Sequence, residues 1–317
     1  MNKFRWAYIG CGSIAKNTAR SITRGGHEIT AVFSRTFEEA KAFAEAYHAK
    51  AYQSVDELLA DDGYDAVYIA TPHNSHADYA VRAMEAGKPV LCEKPVGVNT
   101  AEIDRILAVS REKGVYFCEA MWTWFSDVAI NVKKWIDEGR IGDVKSVRMT
   151  YAFPGVMMSR NSRLLTPETA GGALLDIGVY PITYCYRLFG YPERIRCKGA
   201  LRDGIDIGET VTLGYAGFDC TLEISLTKLK ENCRILGTKG EISVPVFHKA
   251  RYAALKTAED RKRFTGVTDY LTEFTGVSQE ILAGKTESAF VPQQATRDCM
   301  RVMDECRTQL GLKYPFE

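Results

Sequence analysis

This chain of 317 residues is poor in the features that would point to a metal centre, a disulfide frame or a membrane. Its nine cysteines, at positions 11, 92, 118, 185, 197, 220, 233, 299 and 306, are odd in number, scattered and never spaced C-x-x-C. A secreted disulfide scaffold or a zinc site would show tighter spacing, so free thiols in a reducing compartment and no metal are expected. Histidine is also scarce, five in all, with only His73 and His76 close together. There is no excess of either charge. Forty-one basic residues face forty acidic ones, a formal charge of +1, which argues against a nucleic-acid or anionic-membrane partner. No apolar run nears the ~20 residues that span a bilayer. The first one stops at Ile9, before Gly10-Cys11-Gly12, too short for a secretory leader and suited to a first β-strand. Internal repeats and low-complexity segments are missing too. The expectation is a soluble cytoplasmic protein.

What the chain does have is rhythm. At ~150 residues per domain its length predicts two domains. Up to residue 121, short apolar runs alternate with helical patterns: Phe4–Ile9, Ile29–Phe33, Ala66–Ala70, Val90–Cys92 and Tyr116–Cys118 read as strands. Between them lie helix-start signatures, an N-cap residue followed three later by an acid: Thr36/Glu39, Ser54/Glu57, Ser75/Asp78 and Asn99/Glu102. Gly87 and Gly114 fall where the fourth and fifth helices should end. This predicts an α/β domain over 1–121, a doubly wound parallel sheet of Rossmann type.

Residues 122–317 read differently. A helix over Asp127–Glu138 precedes alternating strands Val144–Tyr151, Ile195–Leu201, Glu209–Tyr215, Cys220–Leu226, Arg234–Leu236 and Glu241–Val246. Turn-like links at Tyr215–Phe218 and Gly237–Gly240 predict a mostly antiparallel sheet, interrupted by a helix near Gly172. A last helix, with apolar positions from Ala295 to Leu310, follows Val291-Pro292 and is able to pack back on the first domain. The second domain is therefore expected to be α+β, with an open sheet. The open face of this alternating sheet would otherwise expose apolar side chains, so a homodimer or a dimer of dimers formed through the sheet is expected.

Chemistry begins at Gly10-Cys11-Gly12-Ser13-Ile14-Ala15, a G-x-G-x-x-A run that leaves the first strand and opens a helix. Gly10 allows the tight turn, Gly12 lets a diphosphate approach the backbone, and Ala15 permits close helix–strand packing. The helix N-terminus then offers N–H groups and positive dipole to the phosphates. At the end of the second strand, Ser34-Arg35-Thr36 stands where an enzyme for the unphosphorylated cofactor places a carboxylate. A guanidinium and hydroxyls suit a ribose 2′-phosphate, so NADP(H) is expected in preference to NAD(H). Thr71-Pro72-His73-Asn74-Ser75-His76 and Glu93-Lys94-Pro95 follow two further strands, at the edge where such sheets bind ligands.

These motifs, taken with Gly171-Gly-Ala-Leu-Leu-Asp-Ile-Gly-Val-Tyr180, resemble the glucose–fructose oxidoreductase/inositol dehydrogenase/MocA family over essentially the whole chain. Glu119-Ala-Met-Trp122 and the ending Gly311-Leu-Lys-Tyr-Pro-Phe-Glu317 are most similar to its dimeric dihydrodiol and D-xylose dehydrogenase branch. The resemblance implies hydride transfer between nicotinamide and a hydroxyl carbon of a small sugar, polyol or cyclic diol. It also implies a subunit interface on the C-terminal sheet. The family's cleft lysine falls on Lys94, its downstream acid on Asp176 and its acid/base position on Tyr180, where many members carry histidine. Tyrosine there suits the dihydrodiol branch and weakens two alternatives, histidine-type inositol dehydrogenation and cofactor-assisted glycoside cleavage. A non-catalytic nucleotide sensor would need neither Lys94 nor Tyr180.

The residues make sense chemically as well. Asp176 and Tyr180 are four apart and share a helix face if helical. Lys94 comes from the other domain, so the trio is expected to converge at a cleft between domains. An ammonium beside Tyr180 would stabilise the phenolate and fit it to proton transfer. Trp122, Trp124 and Phe125 serve either as an apolar floor for a ring-shaped substrate or as packing. Arg160 and Arg163 either close on substrate or remain solvated.

Overall fold

The computed structural model describes residues 3–158 and 162–317, so Arg160 lies outside the described residues. The chain forms two compact units, Met1–Trp122 with Asp269–Thr296, and Thr123–Thr268 with Arg297–Glu317.

In the first unit, strands and helices alternate. They are β1 (Arg5–Ile9), α1 (Ser13–Arg24), β2 (Glu28–Phe33), α2 (Phe37–Tyr47), β3 (Lys50–Tyr52), α3 (Val55–Leu59), β4 (Ala66–Ile69), α4 (His76–Glu85), β5 (Val90–Glu93), α5 (Thr100–Lys113) and β6 (Phe117–Ala120). All six strands are parallel, in the order β3-β2-β1-β4-β5-β6. Helices covering both faces demand continuous apolar strands, and Trp6–Ile9 and Ala66–Ile69 are fully buried. The expected strands are present within a residue or two of their predicted ends, and Gly114 closes α5 in the left-handed conformation. Strand β3 escaped the sequence reading because three residues show no period.

Of the four expected caps, Ser54 and Asn99 accept from the N–H three residues on. Thr36 and Ser75 do not cap their helices with their side chains. Glu39 and Ser75 are engaged elsewhere, as the site shows below.

The second unit contains α6 (Asp127–Asp137), β7 (Val144–Ala152), a single π-helical turn at Leu174–Gly178 continuing into α7 (Val179–Phe189), and strands β8 (Arg194–Arg202), β9 (Ile205–Tyr215), β10 (Phe218–Ser225), β11 (Lys230–Gly237), β12 (Gly240–Val244), β13 (Tyr252–Thr257) and β14 (Arg261–Thr265). They form one eight-stranded sheet, β14-β13-β12-β11-β7-β10-β9-β8, antiparallel except between β7 and β10. Strands β13 and β14 were not assigned from the sequence; Arg261-Lys-Arg263 forms a charged edge strand, a kind that resists pairing with other chains. Val147, Met149 and Tyr151 turn to the inner face with α7, and the alternate residues turn outward. That outer face is not the apolar surface expected. A shallow groove of about 650 Å³ crosses it, lined by Arg148, Thr150, Glu223, Lys230, Asn232 and Arg234.

Helices α8 (Tyr270–Leu282) and α9 (Gln293–Leu310) close the chain. The sequence reading assigned α8's segment to the second half, with no helix recognised there; it packs with the first unit. Phe274 is wedged edge-on against Trp6 and Tyr68, with ring centres 4.8 and 4.9 Å away. Tyr116 donates to Glu280 at 2.7 Å. All nine cysteines are buried and free. No helix among the described residues is long and apolar enough to cross a membrane, and no cluster of metal-ligating side chains is found among them.

Four carboxyl groups of the first unit are buried: Glu93, Glu119, Glu273 and Glu280. Burial pushes Glu119 up to about 7, against the opposing pull of the Thr296 hydroxyl and the Lys94 ammonium. Burial drives Glu273 well above the carboxylate range, and the charges of Glu93 and Glu119 add to the effect. A carboxyl whose folded pKa is raised holds more protons folded than unfolded, so its contribution to stability falls as pH rises above the unfolded value near 4.5. Stability should therefore decline from about pH 5 to above 7, by on the order of 1.4 kcal/mol per pH unit for each group titrating. His27, lowered by burial, works in the opposite direction, so the comparison with variants is what isolates the carboxyls. Glu119→Gln and Glu273→Gln should each flatten the decline in chemical denaturation. An unchanged slope in both would refute this account.

Candidate active site

Gly10 adopts φ +102°, and a β-carbon there would lie 2.6 Å from the Ala70 carbonyl oxygen. Only glycine fits. The turn after β1 is thereby pressed against the end of β4, at the point where strand order reverses. Gly12 is the opposite case: a β-carbon would meet nothing within 4 Å, and the residue is exposed. No side chain caps α1, and its first turn contains no acid. Open space, an uncapped helix N-terminus and no repelling charge together fit the diphosphate of a dinucleotide.

At the end of β2, Arg35 is exposed and, among the described residues, in no ion pair. Ser34 is half-buried and donates its hydroxyl to Glu39 Oε2 at 3.1 Å. Cys11 lies beside this pair, its thiol pushed up to about 11, first by burial and then by the Glu39 charge. Glu39 is thus a site residue that sequence reasoning read only as half of a capping box. A Ser five residues before a Glu at the end of the second strand is the signal that could have found it.

The Thr71–His76 loop and the Glu93–Pro95 loop are tied together by one side chain. Buried His76 places Nδ1 2.7 Å from the Pro95 carbonyl and Nε2 2.7 Å from the Thr71 carbonyl. Carbonyls only accept, so neither nitrogen is presented to a ligand as a base. Ser75 turns back to Thr71 Oγ1 and the Pro72 carbonyl. His73 is buried and Asn74 exposed. Glu93 accepts from Tyr68, which fixes the strand end. Lys94, half-buried, leads into a cis peptide bond to Pro95. Its ammonium is felt by the Glu119 carboxyl.

In the second unit, Gly171-Gly172 forms the turn before the π-helical turn. Gly172 has φ +125°, and a β-carbon there would lie 2.0 Å from Asp206 Oδ1. Buried Asp206 accepts from the Leu174 N–H at 2.5 Å, capping the helix. Tyr314 donates to the Gly171 carbonyl at 2.9 Å. Asp176 is paired with Arg163 at 2.9 Å, so Arg163 is not simply solvated but orients that acid. Tyr180 is buried at 8% exposure, its ring centre 5.7 Å from Tyr151 and 5.7 Å from His248. Trp122 is buried with its ring centre 4.7 Å from that of Tyr270, and buried Trp124 stacks on Tyr186.

A family model described as an oxidoreductase family with an NAD-binding Rossmann fold, Gfo/Idh/MocA, matches residues 4–120, and its C-terminal domain model matches 130–243. The trans-1,2-dihydrobenzene-1,2-diol dehydrogenase of Xenopus tropicalis is 30% identical over 330 residues, covering 98% of this chain and 99% of that protein. The chain belongs to the Gfo/Idh/MocA family. The Mus musculus dihydrodiol dehydrogenase is likewise 30% identical, covering 98% of each. Among solved structures, a 3-ketoreductase from Actinomadura kijaniata in complex with NADP and TDP-benzene aligns at TM-score 0.88 and 25% identity, over 98% of each chain. An aldose-aldose oxidoreductase from Caulobacter crescentus shares the fold at TM-score 0.88 and 20% identity, over 97% of each. As a Gfo/Idh/MocA member of the dihydrodiol dehydrogenase branch, the chain is an NAD(P)-dependent dehydrogenase of CH–OH groups.

Proposed function

We propose that this dehydrogenase prefers NADP(H) and interconverts a secondary alcohol and carbonyl on a sugar, polyol or cyclic trans-diol, with Lys94 and Tyr180 handling the hydroxyl proton. The preference rests on Arg35, an exposed guanidinium without an ion pair at the end of β2. The substrate class is supported by the relatives that act, by name, on trans-1,2-dihydrobenzene-1,2-diol.

The nicotinamide, when bound, supplies the hydride acceptor or donor. Gly10 to Ile14 receive the diphosphate, and Ser34 and Arg35 receive the adenosine end. The Thr71–His76 loop and Glu93 line the same sheet edge. Tyr180 takes the alcohol proton as hydride leaves, and Lys94 stabilises the oxygen that loses it. Asp176, paired with Arg163, precedes Tyr180 by four residues in the π-helical turn that leads into α7.

A partner of the same chain is also proposed on the outer sheet face. Its groove lining sets basic Arg148 and Lys230 beside acidic Glu223, charges of both signs that a second copy can meet. Light scattering at micromolar concentration should give the mass of a dimer or a dimer of dimers, and a monomer would end the idea.

Calorimetric titration of the free enzyme tests the cofactor reading. Arg35→Ala should weaken NADP(H) about 10- to 100-fold, the ~1.5–3 kcal/mol of a charge-assisted bond, and leave NAD(H) nearly unchanged. Glu39→Ala should do the reverse, tightening NADP(H), because Ser34 can then donate its proton to a phosphate instead of to a carboxylate. Equal losses for both cofactors in Arg35→Ala would assign that residue to the adenine or to the fold.

Turnover of the dihydrodiol and of a sugar and polyol panel, read at the absorbance of reduced nicotinamide, tests the proton. Tyr180→Phe keeps the ring and should lower kcat about 10²- to 10⁴-fold. Lys94→Met should fall similarly, and the double variant far less than multiplicatively. Normal turnover in Tyr180→Phe refutes the assignment.

A further inference from the structure

The second unit contains a carboxylate–imidazole pair that the family's reaction does not require. Glu231 on β11 lies opposite Tyr151 on β7, both on the inner face of the sheet. Its carboxylate grips one residue twice. The His248 backbone N–H donates to Oε1 at 2.7 Å, and His248 Nδ1 lies 2.7 Å from Oε2. Both side chains are largely buried, at 15% and 11% exposure. A carboxylate only accepts, so Nδ1 carries hydrogen, and in the neutral ring Nε2 is the acceptor. The ring stacks on Tyr151, with centres 4.7 Å apart at 26°, and its centre lies 5.7 Å from that of Tyr180. Tyr151 and Tyr180 are also 5.7 Å apart, so the three rings form a closed triangle. At that spacing the Tyr180 phenol and the His248 imidazole are neighbouring rings.

We propose that Glu231 and His248 form a proton outlet behind Tyr180, carrying away the proton that Tyr180 takes from the substrate hydroxyl. The inference rests on Tyr180 being the acid/base of the reaction. In alcohol oxidation the substrate O–H bond breaks and the Tyr180 O–H bond forms, while hydride leaves for the nicotinamide. The Tyr180 O–H bond then breaks, the His248 Nε2–H bond forms, and Glu231 balances the imidazolium until solvent takes the proton. Reduction runs the sequence backwards. Ionisable groups facing the ring include Glu231 from β11, Tyr151 from β7 and Tyr180 from α7, and Lys249, next in the chain, is exposed. His248 and Glu231 are positioning residues, since they act through Tyr180.

The test needs a readout that a merely structural pair would not move. With tyrosine labelled with carbon-13 at Cζ, the Tyr180 resonance is the one missing from Tyr180→Phe, and it can be followed against pH without substrate. In the wild type it should respond to two ionisations, its own and that of His248. In His248→Gln the second response should vanish and the Tyr180 midpoint should move by about one pH unit. Glu231→Gln keeps the shape and still accepts the backbone N–H, so it remains folded if His248→Gln does not. It should change the Tyr180 titration as His248→Gln does, because the imidazole it leaves is no longer held against a carboxylate. Turnover of the dihydrodiol should fall about 10-fold in kcat for His248→Gln with KM within twofold, and His248→Gln should add nothing on a Tyr180→Phe background. A Tyr180 resonance with the same titration in all forms, or equal losses from His248→Gln in both backgrounds, overturns the inference. Full turnover in Tyr180→Phe overturns the acid/base reading itself, and this inference with it.

Discussion

The contact on which the first unit depends is the approach of the Gly10 backbone to the Ala70 carbonyl, closer than any side chain would allow. It joins the turn after β1 to the end of β4, the two neighbouring strands whose connections leave in opposite directions. A crevice at that reversal is where open α/β sheets take their ligands. From there His76 extends the same edge to the Lys94 loop through two carbonyl contacts. Three motifs that are far apart in sequence are thereby held in one row by backbone and one imidazole. Function is thus supported mainly by groups whose hydrogen bonds are already satisfied.

Burial and pairing together set the charge of the polar groups in the two units. In the first, carboxyls are buried beneath Lys94, and burial drives Glu119 and Glu273 towards the neutral form. That lowers the number of formal negative charges that would otherwise neutralise the ammonium. In the second, the ring of Tyr180 meets an imidazole whose orientation a carboxylate settles. Desolvation acts in the second unit too, where burial raises Asp206 and Glu209, so direct pairing there is added to it.

Much of the first unit was readable because each local signal repeats what the sheet requires. Buried parallel strands show as unbroken apolar runs, and Gly10 marks a backbone position that no side chain can occupy. The failures also have physical causes. Strand β3 is too short to have a period, and β14 is an edge whose Arg and Lys face water. Glu39 fits a capping box by spacing, yet its carboxylate goes to Ser34, since a hydroxyl five residues back competes with the helix N–H groups. The apolar outer sheet face was expected from alternation alone, and alternation does not say which of two faces meets the helices. The Glu231–His248 pair had no local signature at all. Strand register sets Glu231 opposite Tyr151, and the turn after β12 delivers His248, so only the folded chain brings them together.

The buried cysteines have a practical consequence. Thiol reagents attack the thiolate; burial closes access to these sulfurs and raises the thiols of Cys92, Cys118 and Cys233. Alkylation therefore waits for opening, and its rate becomes a clock for local unfolding. Cys92 and Cys118 lie on β5 and β6 of the first unit, whereas Cys220 and Cys233 lie on β10 and β11 of the second. Peptide mapping after a brief pulse of reagent would time the two units separately within one molecule, with no label and no substitution introduced.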